Sequence, residues 1–255
     1  MLVIGLLAVV VAGAATGALL GIRSRGDSQV ATVAPRHQPS AAATVARPVP
    51  EVPPAEFDFQ PLWPFAGQAD AAAWQQGYRA SGDNPWHLDA ATTALTFTQT
   101  YLGYTMIDKV IDTDPVDREN WVTIGFLDPG GRPVTSAVVH VARLGAGDDA
   151  PWEVVGTRDT TLSLTAPSYG STVRSPVAVG GRITGVDETL TVRVRTLGRA
   201  ASVGRVGGIA AGGQDSPWAA TVPVSVAHGS VLTIAVSSGG HVAAVERFAI
   251  TGVRY

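Results

Sequence analysis

Leu190-Thr191-Val192-Arg193-Val194-Arg195-Thr196 alternates apolar and polar residues without a break. Leu190, Val192 and Val194 fall on one face, and Thr191, Arg193 and Arg195 on the other. That is the period of a strand with one face in a core and the other toward water. Working outward, similar runs occupy residues 218–226, 231–237 and 244–250, separated by Gly, Pro, His228-Gly229 or Ser238-Gly239-Gly240. Short strands joined by turns, with no helical period between them, predict an all-β sandwich over residues 162–255.

Three segments of that region also carry a family likeness. They are Ala166-Pro167-Ser168-Tyr169-Gly170-Ser171-Thr172-Val173-Arg174-Ser175-Pro176-Val177-Ala178-Val179-Gly180, Pro217-Trp218-Ala219-Ala220-Thr221-Val222-Pro223 and Val236-Ser237-Ser238-Gly239-Gly240. Together they resemble the immunoglobulin-like domain of bacterial spore germination proteins. The resemblance runs over residues 163–255. It departs at Gly185-Val186-Asp187-Glu188-Thr189, where that family tends to carry an aromatic residue before its acidic one. It implies an immunoglobulin-like sandwich in an extracytoplasmic setting and supplies no catalytic residue.

Ahead of the sandwich, residues 63–159 read as an α+β domain, helices first and then an antiparallel meander. Residues 66–78 are Ala-rich and suit a short helix ending at Ser81-Gly82. A second helix is predicted over 90–102, with Asp89 as its N-cap and Gly103 as its stop. Ala94, Leu95, Phe97, Tyr101 and Leu102 make its apolar face. Three strand-like runs follow at 121–127, 134–144 and 152–158. Asp128-Pro129-Gly130-Gly131 joins the first two as a hairpin, and Gly145-Ala146-Gly147-Asp148-Asp149 joins the next pair. Only Asp159-Thr160-Thr161 connects this domain to the sandwich, so the two are expected to pack.

The amino terminus has a different character. Residues 2–21 carry no charge and would extend about 30 Å as a helix, enough to cross a bilayer. A cleaved signal peptide ending near Ala12-Gly13-Ala14, and hence a secreted protein, is the alternative. Residues 22–62 are Pro-rich, with eight of the chain's seventeen prolines lying between 24 and 64. Such composition suits an extended, disordered linker rather than a packed element. Arg23 and Arg25 favour a cytoplasmic carboxyl side by the positive-inside rule. The linker and the sandwich resemblance favour the outside, and the adopted reading is a single-pass anchor with extracytoplasmic domains.

Composition excludes several chemistries. Net charge is −3 and lysine occurs once, at Lys109. That leaves no basic field for nucleic acid. With no cysteine there are no disulfides, thiol nucleophiles or Cys-bound zinc. His37, His87, His140, His228 and His241 show no metal-ligand spacing, and no Gly-x-Ser-x-Gly or Ser-x-x-Lys motif occurs. Asp112, Asp114, Asp117 and Glu119 read as a solvated acidic loop, because the glycine and the glutamate that a calcium loop requires are missing. Gly204-Arg205-Val206-Gly207-Gly208 reads as a loop between strands. Asp83-Asn84-Pro85-Trp86, Asp149-Ala150-Pro151-Trp152 and Asp215-Ser216-Pro217-Trp218 share a spacing but not their flanks, so they read as three separate turns, each anchored by a Trp.

No catalytic residue, cofactor or metal is expected. The sequence reading is a non-enzymatic binding module of the bacterial cell envelope, attached to the membrane through its amino-terminal helix. Its expected partner is a cell-wall polymer or an envelope protein, with a link to spore germination or wall processes. The alternative is a ligand-binding or hydrolytic α+β domain with the sandwich as accessory. Trp86, His87, Tyr101 and Trp121 are the residues expected to line a ligand site if the α+β domain holds a pocket.

Overall fold

A computed structural model describes residues 57–255. The expected membrane segment 2–21 and linker residues 22–56 lie outside the described residues. Among the described residues no helix is long and apolar enough to cross a membrane.

The helices come first, for local reasons. Helix α1 (Gln68–Ser81) is closed by Gly82 at φ 75°, a left-handed C-cap whose N–H donates to Tyr78 O. Asp89 caps helix α2 (Ala90–Thr96) by accepting from Thr92 N–H at 2.6 Å. The helix continues as a π-turn over Phe97–Tyr101, where Thr98 Oγ1 donates back to Ala94 O at 2.9 Å. Threonine bonding to a carbonyl four residues earlier is a known cause of such irregularity. Phe97, Tyr101 and Leu102 are buried as expected, whereas Leu95 is only half-buried.

The rest is mostly strand, in two antiparallel four-stranded sheets. The first sheet has the order β1 (Lys109–Val116), β2 (Glu119–Leu127), β3 (Pro133–Arg143) and β4 (Trp152–Arg158). Its inner face presents Val122, Ile124, Val139, Val141 and Val154, all fully buried against α2 and its π-turn. Each such aliphatic removed from water contributes about 1.5–3 kcal/mol. Asp128 closes the β2–β3 turn by accepting from Gly130 and Arg132 N–H at 2.8 and 2.9 Å, with Gly131 at φ 76°.

One expectation fails here. The acidic stretch read as a loop over 112–120 is mostly strand β1, with Asp117 at φ 53° in the turn to β2. This is an edge strand with both faces largely exposed. Without a buried face, no alternation marked it.

The second sheet has the order β6 (Gly204–Val222), β5 (Val177–Arg195), β7 (Val231–Ser238) and β8 (Arg247–Arg254). Gly204–Gly208, expected as a loop, opens β6 instead. Strands β5 and β6 pair over 19 residues each, with register breaks near Ile183–Glu188. Breaks of this kind bend a ribbon. Val177, Val179, Ile183 and Trp218 from one end share a core with Leu190, Val192 and Val194 from the other, together with Leu232, Ile234 and Val253. Of the three Asp-x-Pro-Trp segments, the first leads into a 3-10 turn (Pro85–Leu88) and the second into the start of β4, whereas the third, expected as a turn, lies within β6 with Asp215 at φ 48°. Trp152 and Trp218 Nε1 are tied down by Leu88 O and Ser163 O, at 3.1 and 3.2 Å.

Strands β7 and β8 are buried on both faces. Leu232, Ile234 and Ala249 point into the core of the second sheet, while Ala235, Phe248 and Ile250 join that of the first. Ile250 N–H donates to Thr157 Oγ1 at 2.9 Å, tying β8 to β4. Packing also starts earlier than residue 63. Gln60 N–H donates to Tyr169 Oη at 2.6 Å, that hydroxyl donates to Gln60 O at 3.0 Å, and Leu62 is fully buried with its N–H on Val154 O. Apolar and aromatic residues, not prolines, dominate 57–62. They give this end of the Pro-rich stretch something to bury.

Candidate functional site

The four residues expected at a ligand site do not meet. Trp86 and His87 stand on the 3-10 turn with ring centroids 3.6 Å apart. Trp63 stacks on Trp86 at 5.6 Å and reaches Tyr101 at 6.5 Å. Phe65 and Trp74 close on His87 at 4.9 and 5.0 Å. His87 is 7% exposed, and burial holds its imidazole down at about 4, neutral at physiological pH. Its Nδ1 has no hydrogen-bond partner. Trp86, His87 and Tyr101 are therefore connected by an aromatic cluster that fills the space a pocket would need.

Trp121 lies on the opposite face of the first sheet. Val122 and Ile124 point inward, so by the two-residue period Glu119, Trp121 and Thr123 point outward. On the neighbouring strand His140 is outward between the buried Val139 and Val141, and the register sets it directly opposite Trp121. The two rings stack at 3.9 Å and 12°. His140 Nε2 lies 2.6 Å from Glu119 Oε2. Arg158 covers the Trp121 ring at 4.3 Å, and Phe59 meets His140 edge-on at 5.0 Å. Burial lowers the His140 pKa, and Glu119 opposes that shift.

This outward row borders a cleft of about 450 Å³. Its walls are Phe59, His140, Gly156 and Thr157 on one side, and Thr165, Ser168 and Tyr169 from the loop ahead of β5 on the other. Asp159 is the one acidic side chain in the lining, which holds no lysine or arginine. The volume lies in the range of small-ligand sites. A second hollow of about 350 Å³ shares Phe59 and Tyr169 with it and extends to Gln60 and Arg254. Among the described residues, no group of three or more His, Asp or Glu side chains is gathered as metal ligands would be.

The sequence singles out Trp121, and it shows His140 only as a histidine without metal-ligand spacing. It missed the partnership of Glu119, His140 and Phe59. The outward alternation was readable, but the register that aligns residues 121 and 140 was not.

One more buried group stands out. Glu153 is fully buried; its Oε2 accepts from Phe65 N–H at 3.1 Å, and its Oε1 has no partner. Burial pushes its carboxyl well above the ordinary range, against the pull of backbone N–H groups of Phe65, Trp63 and Leu62.

The chain has no significant match among protein-family models, curated proteins or solved structures.

Proposed function

We propose that this chain is a non-enzymatic binding module of the bacterial cell envelope, which takes its ligand in the cleft between the first sheet and the loop ahead of β5. The observation that carries the reading is the contrast between two regions. The aromatic cluster around His87 is filled, whereas the cleft beside His140 is open, sized for a ligand, and lined by aromatic and hydroxyl groups. Clefts formed where two layers meet are a preferred place for binding sites.

In this reading the carboxy-terminal ninety or so residues are an immunoglobulin-like sandwich related to those of spore germination proteins, and residues 63–159 are an α+β layer packed against it. The uncharged segment 2–21 anchors the chain as a single span, and the Pro-rich linker holds the domains outside the membrane. The partner is a cell-wall polymer.

A second reading, hydrolysis, draws on one specific observation, the Glu119–His140 pair at the cleft wall. A carboxylate orienting a histidine is a common general-base arrangement.

The test is co-sedimentation of the purified chain with insoluble cell-wall polymer, while soluble fragments in the supernatant are followed over time. The chain is expected to pellet with the polymer and to release nothing. Release of fragments that ceases in His140→Ala would establish the hydrolytic reading instead. A chain that stays in the supernatant and releases nothing would sink both. Expression in cells, followed by external protease treatment, checks the topology: digestion of the 57–255 region in intact spheroplasts is expected.

A further inference from the structure

Glu119 Oε2 is an acceptor when ionised, so the short contact to His140 Nε2 puts the imidazole proton on Nε2 and leaves Nδ1 with a free lone pair. Among the described residues Nδ1 has no hydrogen-bond partner, and it is not among the fully buried unpaired atoms. His140 lines the cleft, which puts its imidazole ring at the cleft wall. The ring is held in place by Trp121 stacked on its face and by Phe59, whose ring stands nearly perpendicular to it.

Gly156 lies directly across from His140 in the β3–β4 register. The β3–β4 register shifts between His140 and Val141, beside Gly156, whose φ lies outside the left-handed region, and a Cβ built there would meet nothing within 4 Å. Neither a left-handed φ nor crowding therefore requires glycine at this position. Any larger residue would project into the space beside the imidazole. The missing side chain is what leaves the cleft open at His140.

The lining selects a chemical class. Thr165, Ser168 and Thr251 line it with hydroxyls, Asp159 adds one carboxylate, and Phe59 and Tyr169 ring surface, while the Thr157 hydroxyl is engaged by the Ile250 backbone. The lack of lysine and arginine disfavours an anion in this cleft, while Asp58 and Arg254, of opposite charge, line the adjoining hollow. Apolar rings beside paired donors and acceptors suit a molecule with C–H faces and an equatorial belt of O–H groups. The second hollow, sharing Phe59 and Tyr169, gives room for a second such unit.

We propose that the cleft between His140 and Gly156 binds a neutral, hydroxyl-bearing sugar ring of an oligosaccharide, with His140 Nδ1 accepting from the ligand and Glu119 acting as the positioning residue that fixes the imidazole. This rests on the binding-module reading above and specifies its ligand.

The experiment uses the full chain in detergent, titrated calorimetrically with a β-1,4-linked trimer of N-acetylglucosamine and, separately, with the corresponding amine-bearing glucosamine trimer. Saturable binding of the acetylated trimer is expected, with a Kd of about 1 mM or tighter. Gly156→Leu fills the space and is expected to abolish binding, while Gly156→Ala adds one methyl group and weakens it. His140→Ala is expected to weaken binding about tenfold, the equivalent of one lost hydrogen bond of about 1.4 kcal/mol. Nitrogen-15 NMR of the free chain reads the imidazole directly. It is expected to report an unprotonated Nδ1 at neutral pH, and to report a mixture of tautomers in Glu119→Leu. Tighter binding of the amine trimer would overturn the neutral-ligand assignment. Unchanged binding in both Gly156 variants would overturn the site. No binding of either trimer by a chain that still pellets with wall polymer would overturn the sugar ligand alone, and no binding in either assay would overturn the module reading as well.

Discussion

Replacing His87 with leucine is expected to alter how stability depends on pH more than how large it is at pH 7.5. In the folded chain the imidazole is enclosed by Phe65, Trp74 and Trp86, and burial holds its pKa at about 4 against an ordinary value of 6.5. Below pH 6.5 the unfolded chain therefore takes up a proton that the folded chain refuses until about pH 4. In that window the unfolded state binds more protons, so stability falls as pH falls. At about 1.4 kcal/mol per pH unit, the full difference comes to about 3 kcal/mol. Leucine has nearly the same volume and no proton to take up. It also removes the unpaired Nδ1, so the cost of the exchange at pH 7.5 stays within about 1.5 kcal/mol. The assay is urea unfolding of both proteins at half-unit steps from pH 7.5 to 4, followed by tryptophan fluorescence. Other titrating groups are common to both chains and cancel in the difference. The wild type is expected to lose ground steadily below pH 6.5, by about 3 kcal/mol at pH 4. Parallel curves for the two proteins would refute the burial argument, as would an NMR titration in which His87 protonates near 6.5.

Glu153 gives the opposite slope. Its folded pKa is raised, so the unfolded chain releases its proton first and stability is lost as pH rises through the raised value. Glu153→Gln is therefore expected to be more stable relative to wild type at pH 8 than at pH 5, and an equal stability difference from urea unfolding at the two pH values would contradict this. Phe248 is 1% exposed and lies where β8 meets the core of the first sheet. Phe248→Ala is expected to cost about 3–5 kcal/mol in the same assay, and a cost under about 1 kcal/mol would mean the two sheets do not depend on each other. Tyr169→Phe removes the hydroxyl that both accepts from Gln60 N–H and donates to Gln60 O, at an expected cost of about 1–2 kcal/mol. Hydrogen exchange should show faster exchange at the Gln60 and Leu62 amides, and unchanged protection there would remove the 57–62 strap from the account.

The sequence by itself determined those elements whose cause is local. Period-two alternation marks β2 and the Leu190–Arg195 end of β5, because each shows one buried face to its neighbours. Asp89 and Gly82 bound their helices because caps act within one turn. Asp128 and its glycines close a hairpin for the same reason. Alternation failed on β1, which buries neither face, and on the opening of β6, where glycine replaces the side chains that would carry a pattern. It also gave no warning that β7 and β8 serve two cores, since buried faces on both sides read only as a continuous apolar run.

The site belongs to tertiary structure almost entirely. Trp86 and His87 look functional in sequence because aromatic and imidazole groups beside a turn suit a pocket, yet Phe65 and Trp74 arrive from elsewhere and fill it. Glu119, His140 and Gly156 are separated by 21 and 16 positions, and strand register alone aligns them. Phe59 and Tyr169, which wall the cleft, come from segments more than a hundred residues apart. A one-residue slip in any of these pairings would turn His140 to the opposite face, and that choice is made by the burial of Val139 and Val141, not by anything at His140 itself.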